Sequence, residues 1–548
     1  MKFNKYFRHP KKLQELSKEK EKAKQKQKAE GPFLSERLED NVKYLKNRLG
    51  ESGDVIFREY TLDLAEPVSM VVIFIDGMAS KEVINEFILQ ALTFKGELKT
   101  EWAKDRSQLL RHLKDRVLNV NEVGVVSSFP ELYTMVLSGE TAILIEGHDE
   151  ALICSTRGWE HRGIGEPQIE AVIRGPRVGF NEIMRSNTAQ IRRWIRDPHL
   201  TVKALRVGKR SKTDVAIVFL ETVANPQIVK MVEARLKKID IDGVMESSYL
   251  QDMIEDKPFS LFPTVQSTER ADRVVAAILE GRVAVVSDNT PFVLLVPVTF
   301  WQLYHSAEDY YHRWPMAFLL RAVRYLSFLF SLYLPSAYIA LSLYNPELIP
   351  FNLAIKIAAT REAIPFPVFL EALLMELSIE IIREASARLP GPLGQTIGIV
   401  GGFILGDAAV RAGLISPITT IIVALTALSS FTAPSFEVAV TMRLLRFPLM
   451  VFALVGGLYG IAIATILLFI HMSAIISFGV PYLSPVVPFR SDDLKDTFFT
   501  VPRWAMTTRP ASFKPLDQKR RGSVTDRWWK ILNKPPQSKK DGDGERDE

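Results

Sequence analysis

An apolar, glycine-rich stretch between residues 393 and 414 carries the charges that could do chemistry in this sequence. Asp407 and Arg411 lie one helical turn apart in its second half. A charge at the centre of a bilayer costs roughly 2.5–3.5 kcal/mol on insertion scales, so such charges usually pair or face water. The i, i+4 spacing, with the acid first, allows a mutual ion pair. The stretch therefore predicts either a structural ion pair or polar groups beside an aqueous path.

A helical projection at about 100° per residue separates the small residues of this stretch from the polar ones. One face permits close helix contact, as small residues at every fourth position do in membranes, and it comprises Gly394, Gly398, Gly402 and Gly406. The opposite face is the candidate pore face, and it comprises Thr396, Val400, Phe403, Asp407 and Arg411. Val400 would form an apolar constriction there. A packed helix with a structural Asp–Arg pair near the membrane edge is an equally good interpretation.

A second group of charges precedes this stretch, in residues 365–390. At helical spacing the acids share one face with Arg383, and they are Glu376, Glu380 and Glu384. So many charges suit a lipid-exposed span poorly, and the segment predicts an interfacial or re-entrant helix. Its acidic side would form a vestibule that concentrates cations. The alternative, an ordinary amphipathic helix packed on the soluble domain, stays open.

The distribution of charge predicts a membrane domain between soluble ends. Charged residues are dense up to about residue 324, rare from 325 to 489 and dense again afterwards. Spanning a bilayer takes roughly 20 apolar residues, and four segments qualify: 325–344, about 395–414, 417–436 and 447–472. Four spans place both termini on one side, and the flanking basic stretches put that side in the cytoplasm. Arg443 and Arg446 would then lie outside, against the positive-inside rule.

An internal repeat before the apolar region predicts two related α/β subdomains. The segments 71–92 and 216–236 each indicate a buried strand, a turn and an amphipathic helix. The segments 138–154 and 280–296 each indicate a β-hairpin at nearly the same offset. The predicted organisation is a basic tail at 1–32, α/β subdomains at 33–165 and 166–312, a transmembrane domain at 313–489 and a cytosolic C-terminal tail at 490–548.

Nothing in the sequence indicates an enzyme, a metal site or a nucleic-acid site. His148 and Asp149 lie at a predicted hairpin turn without metal-ligand spacing. The single cysteine, Cys154, excludes an intramolecular disulfide and is expected to be a buried strand residue. The segment RGPRVGF at 174–180 could bind an anion before the next helix, although a structural turn is favoured. We expect no catalytic residue and no cofactor, and we expect the basic tail, which lacks the apolar core of a signal peptide, to stay in the cytoplasm.

Several long stretches resemble the A subunit of GerA-type spore germination receptors. They include GQTIGIVGGFILGDAAVRAGLISP (394–417), DLKDTFFTVPRWAMTTRP (493–510) and RGPRVGFNEIMRSNTAQIRRWIRDPHL (174–200), and the resemblance extends from about residue 55 to 510. Two positions depart from it. Asp407 stands where many members of the family have glutamine, and Asn289 stands where many have glycine.

The resemblance implies a multi-pass protein of the spore inner membrane with cytoplasmic termini. It implies a transporter-like B subunit that binds nutrient and a lipoprotein C subunit as partners, besides membrane lipid. It also implies that A subunits oligomerise into a ligand-gated channel for monovalent cations that triggers germination. A non-conducting assembly or signalling scaffold is the alternative. A secondary transporter is the third, and it would predict a repeat inside the membrane half.

Overall fold

The computed structural model describes most of the chain between residues 32 and 520. The described residues are 32–50, 52–62, 67–90, 106–118, 120, 122–158, 165–389, 401–402, 406–491, 493–498, 500–502 and 505–520. They form two α/β units, then a helical region, and then a C-terminal segment that returns to the second unit.

The first α/β unit is built on a five-stranded antiparallel sheet. Its elements are α1 (Leu38–Leu49), β1 (Val55–Leu62), β2 (Val68–Ile75), a π-helix (Val83–Leu89), α2 (Arg106–His112), a second π-helix (Leu113–Val117), β3 (Val123–Val126), α3 (Phe129–Val136), β4 (Thr141–Ile145) and β5 (Ala151–Cys154). The strand order is β1-β2-β4-β5-β3. Strand β2 is apolar along most of its length because alternate residues enter different cores, Val71 and Ile73 on one face and Met70 and Val72 on the other.

The second α/β unit repeats this plan. Its elements are α4 (Met184–Trp194), β6 (Leu200–Val207), β7 (Thr213–Leu220), α5 (Pro226–Lys238), α6 (Ser247–Ile254), β8 (Gln266–Thr268), α7 (Ala271–Leu279), β9 (Val283–Ser287) and β10 (Val293–Val296). The strand order, β6-β7-β9-β10-β8, is that of the first sheet position by position. The two segments predicted as repeated strands are β2 and β7, and the two predicted hairpins are β4–β5 and β9–β10. The internal repeat is therefore confirmed.

A buried ion pair joins the two units. The Arg192 side chain of α4 lies 2.7 Å from the Asp54 carboxylate of the first unit, and both are almost fully enclosed. Arg192 also donates to the Ser52 hydroxyl and to the Leu200 carbonyl. Because a buried charge without its partner is costly, this pair fixes the two units against each other.

The helical region follows, and its elements are α8 (Trp314–Leu343), α9 (Phe351–Arg361), α10 (Val368–Arg388), α11 (Pro417–Ser430) and α12 (Phe436–Ser473), with a helical segment at 406–411 between α10 and α11. By length and composition, α8 and α12 could cross a membrane, whereas α11 is apolar but shorter. Most of the predicted span at 395–414 lies outside the described residues. The number of spans stays a prediction.

Helix α12 is a hairpin of two arms, not one straight rod. Its backbone leaves the helical conformation at Gly457, where φ is 57° and ψ is −136°, a combination that glycine tolerates and other residues rarely adopt. Val438 and Met472 share one hydrophobic cluster, although a straight helix would separate them by about 50 Å. The segment 447–472, predicted as one span, therefore contains this turn, and its crossing of the membrane stays a prediction. The apolar run continues through Gly457 without any charged residue, so hydropathy alone does not mark the turn.

The arms of α12 fix the direction of α10. Val368 and Ala372 of α10 pack with Met450 and Ala453 of the first arm, 436–456. Farther along α10, Glu380 pairs with Arg443. The two helices therefore run antiparallel, and α10 lies lengthwise within the bundle. The interfacial or re-entrant position of this helix in the membrane stays a prediction.

The C-terminal segment packs back on the second α/β unit. Strands β11 (Ile476–Ser477) and β12 (Val480–Pro481) form a short hairpin after α12. Phe478 and Phe513 enter the core that also contains Val215 and Ile217 of β7. The helical region therefore begins and ends beside the same α/β unit.

Candidate functional site

The pair Asp407–Arg411 is formed, and it is exposed. Arg411 Nε lies 2.9 Å from Asp407 Oδ2, and the side chains are 79% and 41% exposed. Ala409, on the same helical segment, packs against a cluster that contains Met375 of α10. This contact places the charges beside the middle of α10, where Leu374 and Leu377 are exposed apolar side chains.

The described part of the glycine face is open at one position and in contact at another. A Cβ added at Gly402 would meet no described atom within 4 Å, whereas one added at Gly406 would lie 3.8 Å from Thr420 Cγ2 of α11. Gly406 therefore packs within this chain, whereas Gly402 has no such contact among the described residues. The remaining predicted residues of both faces lie outside the described residues, and they are Gly394, Gly398, Thr396, Val400 and Phe403.

Glu376, predicted as part of an acidic vestibule, is fully buried beside Arg446 of the first arm. The two side chains form an ion pair at 0% and 3% exposure. Arg446 also donates to the Ser331 carbonyl of α8 over 2.9 Å. The pair therefore links three helices in an apolar setting, where charges are stable only when they are paired and hydrogen-bonded.

The other two predicted vestibule acids also have arginine partners. Glu380 lies 3.1 Å from Arg383 and 2.9 Å from Arg443. Glu384 lies 2.6 Å from Arg388 and reaches solvent. The structure thus brings the three acids to one helix, as predicted, with Glu376 enclosed and Glu384 at the surface. The vestibule itself stays a prediction.

Arg443 and Arg446, which conflicted with the positive-inside rule, pair with acids of α10 inside the bundle. That rule describes charges in the loops beside a membrane, not charges neutralised between helices. Their positions therefore carry no information on topology.

Sequence reasoning missed a second buried acid, Glu371. Its carboxylate accepts hydrogen bonds from the Ser416 backbone over 2.9 Å and from the Thr419 hydroxyl over 3.1 Å, at the start of α11. Arg361 of α9 lies 3.3 Å away. The signal was present, because Glu371 is an acid in an apolar segment, but its partners come from two other helices.

A third charge cluster, called the junction cluster below, joins the second α/β unit to α8. Asp309, which is buried, pairs with Arg321 at 3.2 Å and with Arg324 at 2.9 Å. Arg321 also pairs with Asp496 of the C-terminal segment at 3.1 Å. Burial raises the pKa of the Asp496 carboxyl, although Arg321 opposes the shift. Burial, together with the Arg321 charge, holds the pKa of His305, which borders the cluster, well below its usual range.

The remaining candidate residues form ordinary structural contacts. The N–H of Met184 at the start of α4 donates to Asp288 Oδ1 over 2.9 Å, so this chain's own carboxylate occupies the position proposed for an anion. His148 Nδ1 lies 3.4 Å from the Glu146 carbonyl. Cys154 is buried in β5, and burial raises the pKa of its thiol to about 12. Within the described ranges, no group of three or more His, Cys, Asp or Glu side chains is arranged to hold a metal ion.

Comparison with known proteins identifies the family. The sequence profile of the Bacillus/Clostridium GerA spore germination protein matches residues 43–512. Spore germination protein KA of Bacillus subtilis (strain 168) is 41% identical over 489 residues, which cover 89% of either chain. The membrane protein YfkQ of the same strain is 39% identical, over 88% of this chain and 92% of that protein.

One solved structure is also similar to this chain. The N-terminal domain of the A subunit of the Bacillus megaterium spore germinant receptor GerK3 matches 49% of this chain and 98% of its own length, with 27% identity and a TM-score of 0.40. The profile match covers most of the chain, and the identities to full-length relatives are high. This protein belongs to the GerA family of spore germination proteins, among the receptor A subunits.

Proposed function

We propose that this chain is the A subunit of a nutrient germinant receptor in the spore inner membrane, and that its copies assemble into a ligand-gated channel for monovalent cations. The observation that carries the proposal is the exposure of the Asp407–Arg411 pair. A charge pair open to hydrocarbon is strongly unfavourable, so in the assembled receptor it must face water or another subunit. A ring of such segments around an axis would provide that water.

The open glycine position supports assembly from several copies. Gly402 contacts no described atom of its own chain, so its surface is free for a helix of a second copy. Small residues let helix backbones approach closely in a membrane. With Gly402 against a neighbour, the face that carries Asp407 would turn towards a common axis, and Val400 would be its apolar constriction.

In this proposal the acidic vestibule consists of two of the three predicted carboxylates. Glu376 is enclosed, so Glu380 and Glu384 would be the carboxylates that attract cations before they enter the path. Their arginine partners reduce the net charge, and we expect a modest effect on conductance.

The junction cluster offers a route from ligand binding to the helices. Asp309 and Asp496 both pair with Arg321, near the N-terminal end of α8. A movement of the second α/β unit would therefore be transmitted to that helix. A nutrient bound by a transporter-like B subunit can open the channel only if it binds the open state more tightly than the closed state. We place the soluble units and both termini in the cytoplasm, with a lipoprotein C subunit as a further partner.

Ion flux from liposomes tests the proposal. The complete receptor, given a nutrient mixture that germinates the parent spores, should release K⁺, and Asp407→Asn should change the rate. Glu233→Gln is the matched control, because Glu233 also forms an i, i+4 pair, with Lys237 in α5, away from the helical region. A flux that is unchanged by Asp407→Asn would contradict the pore assignment.

One observation favours the alternative of a non-conducting scaffold. Glu371, Glu376, Glu380 and Glu384 of α10 all have arginine partners within the described residues. Carboxylates that are already neutralised by arginines need no water-filled path to stabilise their charge. In a scaffold, Gly402→Leu should prevent assembly of the receptor, whereas Asp407→Asn and Val400→Ala should be silent.

A further inference from the structure

A loop of the second α/β unit presents an unusually exposed aromatic side chain. Residues 257–262 (KPFSLF) connect α6 to β8, and Phe259 at the tip is fully exposed. Leu261, two residues later, is about half exposed. Phe262, by contrast, is buried against Phe300 and Tyr482 and holds the base of the loop in place. A rigid loop with an apolar tip is unfavourable in water and indicates a surface that something apolar covers.

The loop is attached to the ends of both arms of α12. Lys257 Nζ donates to the Ala474 carbonyl over 2.8 Å, and Ser260 Oγ lies 3.0 Å from His471 Nε2, both at the end of the second arm. Thr441, in the first arm, donates its hydroxyl to the Leu261 carbonyl. These three contacts fix the position of Phe259 relative to the bundle.

The surface next to Phe259 is the apolar outer surface of the arms. A cavity of about 340 Å³ lies between the loop and both arms, and its lining is almost entirely apolar, including Leu449, Phe452 and Leu467. Farther round the second arm, Ile466 and Ile470 are more than half exposed. Phe259 therefore extends a continuous apolar surface that the helical region turns outwards.

We propose that residues 257–261 enter the lipid bilayer, with Phe259 among the acyl chains and Lys257 at the level of the phospholipid headgroups. Two features favour lipid over a protein partner. The apolar surface is continuous with the outer faces of the membrane arms, and the one cation of the loop stands on its polar side, at the end of the second arm. Aromatic rings and lysine side chains take these positions at membrane interfaces. The second α/β unit would thus be held at the membrane by this loop as well as by the chain connections.

Spin labelling of the receptor complex in liposomes tests this placement. Cys154 is the single cysteine and is buried, so a Cys154→Ala background accepts one label at a chosen site. The liposomes contain phosphatidylethanolamine and phosphatidylglycerol, and collisions are measured with oxygen, which concentrates in lipid, and with a water-soluble nickel chelate. The label goes on Phe259→Cys and, as a second variant, on Leu261→Cys. Ile173→Cys, on an exposed site of the soluble region, and Ile466→Cys, on the second arm, are the references.

The expected result is an oxygen-to-nickel ratio several-fold higher at position 259 than at position 173, and close to that at position 466. Equal ratios at 259 and 173 would overturn the proposal, because the loop would then lie in water. Low collision rates with both reagents would also overturn it, because a protein would then cover the loop. A water-like ratio at 466 would remove the membrane placement of α12 itself, and with it the proposed function. The proposed function survives failure at position 259 alone.

Discussion

The two acid–arginine pairs beside the middle of α10 differ in what surrounds them. Glu376 and Arg446 are enclosed by α8, α10 and α12, whereas Asp407 and Arg411 lie on the outside of the described chain. Both are acids and arginines in an apolar region, and the sequence does not show which pair is enclosed. The enclosed pair is complete within one chain and serves the fold. The exposed pair leaves its charges open to water or to another subunit, and this difference is our reason for proposing a functional role for Asp407.

Removing one member of the enclosed pair should have the largest effect on stability. Glu376→Gln leaves the Arg446 charge buried without its partner, which typically costs about 3–5 kcal/mol. The thermal unfolding midpoint of the detergent-solubilised protein, followed by circular dichroism, measures the loss. The double variant Glu376→Met with Arg446→Met is the control and should recover most of it, because apolar replacement of a whole buried pair is often neutral or stabilising. If Glu376→Gln were as stable as the parent, the enclosed pair would contribute no more to stability than the exposed pair.

Breaking the junction cluster should cost less stability than breaking the Glu376–Arg446 pair, because a second arginine remains beside one of its acids. Arg321→Met removes the partner of Asp496 but leaves Asp309 with Arg324. We expect a loss of about 1.5–3 kcal/mol, the range for hydrogen bonds to charged groups. The same unfolding measurement checks it, with Arg206→Met, an exposed arginine paired to Asp214, as the control. Equal midpoints for the two variants would contradict the assignment.

Acidification should weaken the same junction through His305. Its pKa is held below the usual range in the folded protein, so the unfolded chain takes up the proton first. The stability that neutral His305 contributes is present above about pH 6.5 and is lost as the pH falls, by up to about 1.4 kcal/mol per pH unit. His305→Gln should flatten the dependence of the unfolding midpoint on pH between about 5 and 7. His199→Gln, at the surface contact with Arg48, should leave it in place, and an identical slope in the parent and His305→Gln would refute the effect.

Neutralising the exposed pair should change stability least. Asp407→Asn should alter it by at most about 1 kcal/mol, the usual contribution of a solvent-exposed ion pair.

Gly402→Leu should likewise leave the isolated chain folded, because a Cβ there meets no described atom. It should nevertheless reduce the oligomer fraction measured by chemical cross-linking in liposomes, whereas Gly456→Leu, also at an open position, should not. A full oligomer fraction in Gly402→Leu would remove Gly402 from the subunit contact.

The sequence allowed the α/β repeat to be predicted because its strands obey a local pattern. Strands β2 and β7 are continuous apolar runs next to amphipathic helices, and their spacing is repeated by the two hairpins. Hydropathy failed at Gly457 because the run is apolar on both sides of the turn, and only the backbone conformation of one glycine reverses the chain.

The pairing of charges could not be predicted because its partners are distant in sequence. A helical projection of α10 places Glu376 on a polar face, and it contains no information about Arg446, which is 70 residues away. The same holds for the junction, where Arg321 meets Asp496 across 175 residues. The i, i+4 pair of Asp407 and Arg411 was predictable because it depends on one helix alone.

The most direct test of the account is K⁺ efflux from liposomes that hold the complete receptor, compared between the parent and Asp407→Asn on addition of the germinating nutrient mixture. A pore lined by this chain predicts nutrient-dependent efflux in the parent and a changed rate in the variant, at unchanged protein stability and assembly. An assembled, nutrient-responsive receptor whose efflux is absent, or is the same in both, would contradict a pore lined by this chain.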